Sequence, residues 1–99
     1  MEATAFITSS DERLKKDIVN LTGALSAVES LRGVTYHWKD ESKPHEEVGV
    51  IAQDVQKHYP QMVHQVGEHL KVDYSRLSAV LIEAVKELAS RVKALEAKA

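Results

Sequence analysis

Two serines and two lysines fall close together near the start of the chain: Ser9 and Ser10, then Lys15 and Lys16, with Asp11, Glu12, Arg13 and Asp17 among them. A serine hydroxyl becomes a useful nucleophile when a base takes its proton. A lysine amine can be that base only when uncharged, so burial or a nearby cation must bring it down from about 10.4. Arg13 and Lys16 have the right sign to help, and Asp11, Glu12 and Asp17 oppose them. The same residues also have a plain structural use. Ser9-x-x-Glu12 has the form of a capping box, either serine can cap a helix, and Lys15-Lys16 can be a solvated face. Spacing constrains the chemical use, because residues five apart on an α-helix point about 140° away from each other. Ser10 and Lys15 therefore cannot meet on one straight helix. Either Ser10 lies outside it as a cap or turn residue, or the segment from Ser10 to Lys15 is not helical. Acyl chemistry would also need a donor for an oxyanion, for which Gln53 and His37 are candidates by residue type alone.

Other chemistries find less material. His37, His45, His58, His64 and His69 show no close pair with acidic or cysteine support at ligand spacing, so no metal and no cofactor is expected. There is no glycine-rich phosphate loop. Without cysteine there is neither a disulfide framework nor a thiolate site. A net charge of -2 gives no basic field to gather nucleic acid or an anionic membrane, and Tyr36, Trp38 and Tyr59 read as core and interface aromatics. No apolar run approaches the roughly 20 residues that span a bilayer, and Met1 to Ser10 lack a basic start followed by an apolar stretch, so no export leader is expected. At 99 residues with 43% hydrophobic content the chain is one domain, small enough that a monomer would be marginal and association would help it.

The elements that must position the serines and lysines follow from periodicity. Ala5 to Thr8 reads as a short strand or extended lead. Leu25, Val28 and Leu31 are spaced for a helix over Thr22 to Leu31, with Thr22 as N-cap and Gly33 beyond its end. Gly33 to Trp38 alternates as a half-buried strand, and Lys39 to Glu47 is a polar loop with Pro44. Val48 to Ile51 is a short β-branched run that feeds a helix over Ala52 to Tyr59, stopped by Pro60. Met62 to Val66 and Leu70 to Val72 flank Gly67-Glu68 as a β-hairpin with a connection of up to three or four residues.

Tyr74 to Ala99 contains neither Gly nor Pro and reads as one long helix capped by Asp73. On it Ser78, Leu81, Val85, Leu88, Val92 and Leu95 recur in steps of three and four, the seam of a coiled coil, whereas Leu77, Val80 and Ala84 add a second apolar stripe in the first half only. The first half can pack on the domain, and the second half needs a partner helix. Valine at a and leucine at d leave the number of helices open. The fold class is α+β: a small mixed domain of short strands and helices followed by the long C-terminal helix.

Four stations, in order, resemble the self-cleaving intramolecular chaperone domain found at the C-terminus of phage endosialidases, tailspikes and long tail fibres, and also in the myelin regulatory factor. They are Ser10-Asp11-Glu12-Arg13-Leu14-Lys15-Lys16-Asp17-Ile18, Gly33-Val34-Thr35-Tyr36-His37-Trp38-Lys39, Val48-Gly49-Val50-Ile51-Ala52-Gln53-Asp54-Val55 and Val72-Asp73-Tyr74.

The resemblance implies a homotrimer, with the seam Leu81, Val85, Leu88, Val92 and Leu95 closing a trimeric coiled coil. It implies a fibre or tailspike segment attached at the N-terminus, and one cut per chain between Ser9 and Ser10, with Ser10 as nucleophile, Lys15 as base and Lys16 as its fallback. On that reading residues 1–9 are the upstream side of the cut, 10–73 the globular chaperone and 74–99 the trimerisation helix. The domain would act in the cytoplasm of the infected bacterial host during virion assembly and leave the virion after cleavage. The alternative is a fibre trimerisation domain that never cleaves.

Overall fold

The computed structural model describes residues 7–99. Ala5 and Phe6, and most of the proposed upstream segment, lie outside the described residues, while Ile7 to Ser10 have no regular structure. The chain then forms a 3-10 turn at Glu12–Leu14, helix α1 (Ala24–Ser30), strands β1 (Val34–Tyr36) and β2 (Glu47–Gly49), and helix α2 (Ala52–Gln56). A 3-10 turn at Pro60–Met62, strands β3 (Val63–Val66) and β4 (His69–Val72), a 3-10 turn at Tyr74–Arg76 and helix α3 (Leu77–Ala97) complete it. The architecture is α+β, with two separate two-stranded antiparallel sheets rather than one.

The core lies where α1 crosses α3 and where α2 meets the second hairpin. Ala24, Leu25, Ala27, Val55, Tyr59, Met62, Val80 and Ala84 are buried, and Val55 is sealed completely. Small residues on α1 and α3 allow the two helices to approach closely. The expected cap of the first helix is displaced: Gly23, in the left-handed region at φ 70°, stands at the N-cap and offers no side chain, so Thr22 does not cap. Glu87 of α3 supplies the missing acceptor, its carboxylate taking the Leu25 N–H at 3.2 Å. At the other end of α1 the Ser30 hydroxyl donates to the Ala27 carbonyl at 2.7 Å and lies 2.6 Å from His58 Nε2. Its one proton being spent, Nε2–H must donate, which fixes the tautomer and ties α1 to the end of α2.

The α2 helix ends at Gln56 and not at Tyr59, because Pro60 forces the preceding Tyr59 out of helical geometry, to φ -135° and ψ 71°. The hairpin that follows is tight. Val66 pairs with His69, leaving Gly67-Glu68 as a two-residue turn, and Gly67 alone has positive φ, as a type II′ turn requires. The expected Val48–Ile51 strand begins and ends earlier, at Glu47–Gly49, since Val50 turns its N–H to the Tyr74 hydroxyl at 3.1 Å and Ile51 caps α2.

Gly49 is small for a reason that the structure states directly. A Cβ there would stand 2.6 Å from the Tyr74 hydroxyl oxygen and 3.3 Å from a Tyr36 ring carbon. Gly49→Ala must push Tyr74 away and break its bond to Val50, and is expected to cost about 1–3 kcal/mol. A thermal melt should show a drop of roughly 4–8 °C per kcal/mol for a domain of this size. Gly33→Ala, with nothing within 4 Å of the added carbon, should leave the melt unchanged.

The long helix starts at Leu77, three residues after the expected start, because Tyr74–Arg76 tightens into a 3-10 turn. It spans 21 residues, or about 32 Å at 1.5 Å per residue. Nothing beyond Ala84 on it is buried in the single chain. The radius of gyration of 17.2 Å exceeds the roughly 13 Å of a compact domain this long. Among the described residues, no helix is long and apolar enough to cross a membrane.

Candidate functional site

Ser10 and Lys15 meet because the segment between them is a single 3-10 turn with extended residues on both sides. Asp11, at φ -65° and ψ 130°, is the N-cap of that turn, and its carboxylate accepts the Arg13 N–H at 2.9 Å. The cap is thus Asp11 rather than Ser9 or Ser10, which leaves both serine hydroxyls free of that duty. Lys15 closes the turn through its N–H to the Glu12 carbonyl and then leaves it in extended geometry, at φ -111° and ψ 150°. Neither Ser10 nor Lys15 is helical, so the 140° divergence of an α-helix does not apply, and Lys15 Nζ donates to Ser10 Oγ at 2.7 Å. Lys16 makes no hydrogen bond to either serine among the described residues. The chain reverses just afterwards at Asp17, whose φ of 55° is a left-handed conformation that aspartate tolerates better than most residues.

Arg13, one of the two cations expected to assist, is spent on its neighbour. Its Nε and Nη2 donate to Asp11 at 3.1 and 2.7 Å. That guanidinium, with the Arg13 N–H second, holds the Asp11 carboxyl below its usual range, and Asp11 in turn raises Arg13. The pair lies at the surface, so it organises the turn more than it stabilises the fold.

Thr8, Ser9, Ser10 and Lys15 line a groove of about 480 Å³. The same groove is lined by Gln61, Asp73, Ser75, Arg76 and Ser78, around the entry to α3, and by Tyr59, Met62 and Val80 of the core. Sequence reasoning assigned none of these wall residues to the site. The one pointer was that Asp73 belongs to the fourth station. Asp73 does not bond the backbone of the long helix as a cap; it accepts the Ser75 hydroxyl at 2.6 Å and Arg76 Nε at 2.7 Å. These donors, Ser75 first, keep its carboxyl below the usual range.

Gln53 and His37 are not in this groove. Gln53 lines a separate apolar cavity of about 590 Å³ between the two hairpins, together with Tyr36, Trp38, Val50, Leu70 and Tyr74, and His37 is an exposed residue past the end of β1. In that cavity burial pushes the Tyr36 phenol above its ordinary range, with Tyr74 and Glu47 adding to the effect. Tyr36 and Trp38 pack edge to face at 5.1 Å, and Lys43 lies over the Trp38 ring at 5.7 Å. No group of three His, Cys, Asp or Glu side chains that could hold a metal occurs among the described residues.

The second candidate surface is α3. Val80 and Ala84 are buried against α1, whereas Leu81, Val85, Leu88, Val92 and Leu95 are between 44% and 66% exposed. Ile82 adds to that face, and Leu14, Ile18 and Val19 of the opening segment are exposed as well. Apolar exposure on this scale, continuous along one helix, makes this face a candidate association surface.

Residues 10–64 match the peptidase family described as chaperone of endosialidase, and the matched segment begins at Ser10 itself. The chain is 38% identical over 98 residues to the long tail fiber protein Gp37 of Enterobacteria phage M1, and equally so to that of Enterobacteria phage Ox2, covering 88% of this chain and 38% of each relative. Against the long tail fiber protein Gp37 of Enterobacteria phage T2 it is 36% identical over 97 residues, covering 90% of this chain and 7% of that protein. The chain therefore spans well under half the length of these relatives.

Proposed function

The chain belongs to the chaperone of endosialidase family, and from that membership we propose that it is the trimerising chaperone end of a phage tail fibre and that it severs itself from the fibre between Ser9 and Ser10. The observation that carries this reading is the 2.7 Å contact of Lys15 Nζ with Ser10 Oγ at the first residue of the matched segment. In this reading residues 1–9 are the upstream side of the cut, 10–73 the globular chaperone and 74–99 the assembly helix. The seam of α3 holds three chains in register, in the cytoplasm of the infected host, and cleavage lets the chaperone leave the finished fibre.

The chemistry is an acyl shift followed by hydrolysis. Ser10 Oγ attacks the Ser9 carbonyl carbon, an O–C bond forms, and the hydroxyl proton passes to an uncharged Lys15 Nζ. With that amine uncharged, the contact that Nζ makes as donor reverses, and Oγ–H donates to Nζ. The tetrahedral centre collapses with rupture of the C–N bond, and Nζ returns the proton to the departing amine. An ester now joins Ser9 to the Ser10 side chain. Water adds to its carbon and the C–Oγ bond breaks, leaving a carboxylate on Ser9 and restoring the Ser10 hydroxyl beside a new N-terminal amine.

A fibre trimerisation module that never cuts is the second reading, favoured by the exposure of Ser10 and Lys15 to water in the single chain. Intact-mass measurement of the chain carrying its native upstream residues separates the two. Lys15→Ala should slow the cut by about 10² to 10⁴-fold, the usual worth of general acid–base assistance, while sedimentation stays that of a trimer. Undiminished processing of Lys15→Ala would move the base, first to Lys16, and a wild-type chain that stays whole would favour the non-cutting module.

A further inference from the structure

Acyl transfer from Ser9 to Ser10 places negative charge on the Ser9 carbonyl oxygen, and an active site lowers that barrier with donors fixed in advance. Candidates can be counted off along the groove. The Ser75 hydroxyl gives its single proton to Asp73 at 2.6 Å, and the Ser78 hydroxyl gives its own to the Ser75 carbonyl at 2.9 Å. Asp73, whose carboxyl is held ionised by Ser75 and Arg76, can only accept. Lys15 is committed to Ser10. Thr8 and Ser9 belong to the segment being cut, and of the other lining side chains Tyr59, Gln61 and Arg76 keep unspent donors among the described residues. They differ in charge and in anchorage: Arg76 is cationic and is tied by Nε to Asp73 Oδ2 at 2.7 Å, which leaves its two terminal amino groups for another acceptor.

We infer that Arg76, anchored by Asp73, donates to the Ser9 carbonyl oxygen as it becomes an oxyanion, so that the cut is completed by a residue from the entry of α3. This rests on the acyl-shift reading above. Arg76 adds no bond and takes no proton; it stabilises the charge that forms when Oγ joins the carbonyl carbon and that vanishes when the C–N bond breaks. The assignment makes Asp73 a positioning residue. It also joins cleavage to the helix that carries the seam, since the Asp73–Arg76 pair stands directly before Leu77, the first residue of α3.

The test follows the whole chain with its native upstream residues by intact mass over hours, as wild type, Ser10→Ala, Gln61→Ala, Arg76→Gln and Arg76→Ala. Both Arg76 variants should cut about 10² to 10³-fold more slowly than wild type, the loss typical of a missing oxyanion donor, with unchanged melting and sedimentation. Added guanidinium ion, far below denaturing concentration, should restore Arg76→Ala and leave Ser10→Ala whole; a merely structural role for the Asp73–Arg76 pair would not respond. Cutting of Arg76→Ala at the wild-type rate while Ser10→Ala stays whole overturns the inference and spares the acyl shift. Loss of cutting in Gln61→Ala alone gives the role to Gln61, and loss in Arg76→Ala that comes with misassembly and no guanidinium response makes Arg76 structural. A wild type that stays whole, or a Ser10→Ala chain that is cut, removes the acyl shift and this inference with it.

Discussion

Ser10→Ala is expected to leave the chain whole for days under conditions in which the wild type is processed, a loss on the order of 10⁶ in rate if the nucleophile here matters as it does in other serine peptidases. The size of the effect comes from removing the atom that forms the new bond, not from weakening a contact. The variant is also a clean one. Ser10 is exposed and outside every helix, Asp11 rather than Ser10 caps the adjoining turn, and the Lys15 side chain released by the change faces water. Melting and sedimentation should therefore match the wild type. Ser9→Ala is the companion measurement: its carbonyl is attacked but its hydroxyl has no part, so processing should continue. A Ser9→Ala chain that stays whole beside a Ser10→Ala chain that is cut would move the nucleophile by one residue and would break the agreement with the start of the matched segment.

Leu88→Asp is the second large effect, and it should turn a trimer into an 11.0 kDa monomer in sedimentation. Leu88 lies in the middle of the exposed stripe, one turn past the last residue of α3 that is buried against α1, Ala84. In the single chain it is 50% exposed, so an aspartate there costs the monomer little. In a closed seam three such carboxylates would face one another without partners, at several kcal/mol per chain, while each leucine removed gives up about 1.5–3 kcal/mol of burial. Those sums exceed what a short coiled coil can spare. Ser90→Asp is placed about 200° around the helix and should leave the assembly intact. If Leu88→Asp still sediments with the wild type, the seam is not where the chains meet, and Leu14, Ile18 and Val19 become the next surface to alter.

Much of the fold was legible because local chemistry dictates it. Pro60 ends α2 by what proline does to the residue before it, Gly67-Glu68 turns the hairpin because glycine accepts positive φ, and the absence of Gly and Pro after Asp73 leaves α3 uninterrupted. Two of the misreadings occur where distant residues decide. Thr22 should cap α1 by residue type, yet Glu87, sixty-two residues from the amide it serves, does so. The strand at Val48 ends early because Tyr74 reaches across to the Val50 N–H.

The candidate site divides along the same line. By itself the sequence determined the candidate residues Ser10 and Lys15, their order in four stations and the resemblance to the family, since these depend only on residue type and spacing. It also determined that α3 has two apolar stripes, because periodicity states which residues share a face. Only the tertiary structure decided which stripe the domain covers for itself, Val80 and Ala84, and which it leaves open, Leu81 through Leu95, since periodicity says nothing about what lies opposite a face. Likewise the bond between Lys15 and Ser10 depends on one 3-10 turn with extended backbone at each end, and the wall carrying Arg76 depends on how α3 is laid against the opening segment. The first is a local contact in exposed chain, where residue type alone leaves cap, turn and helix all open, and the second joins residues 8–15 to residues 59–80, which a window of neighbouring residues does not contain.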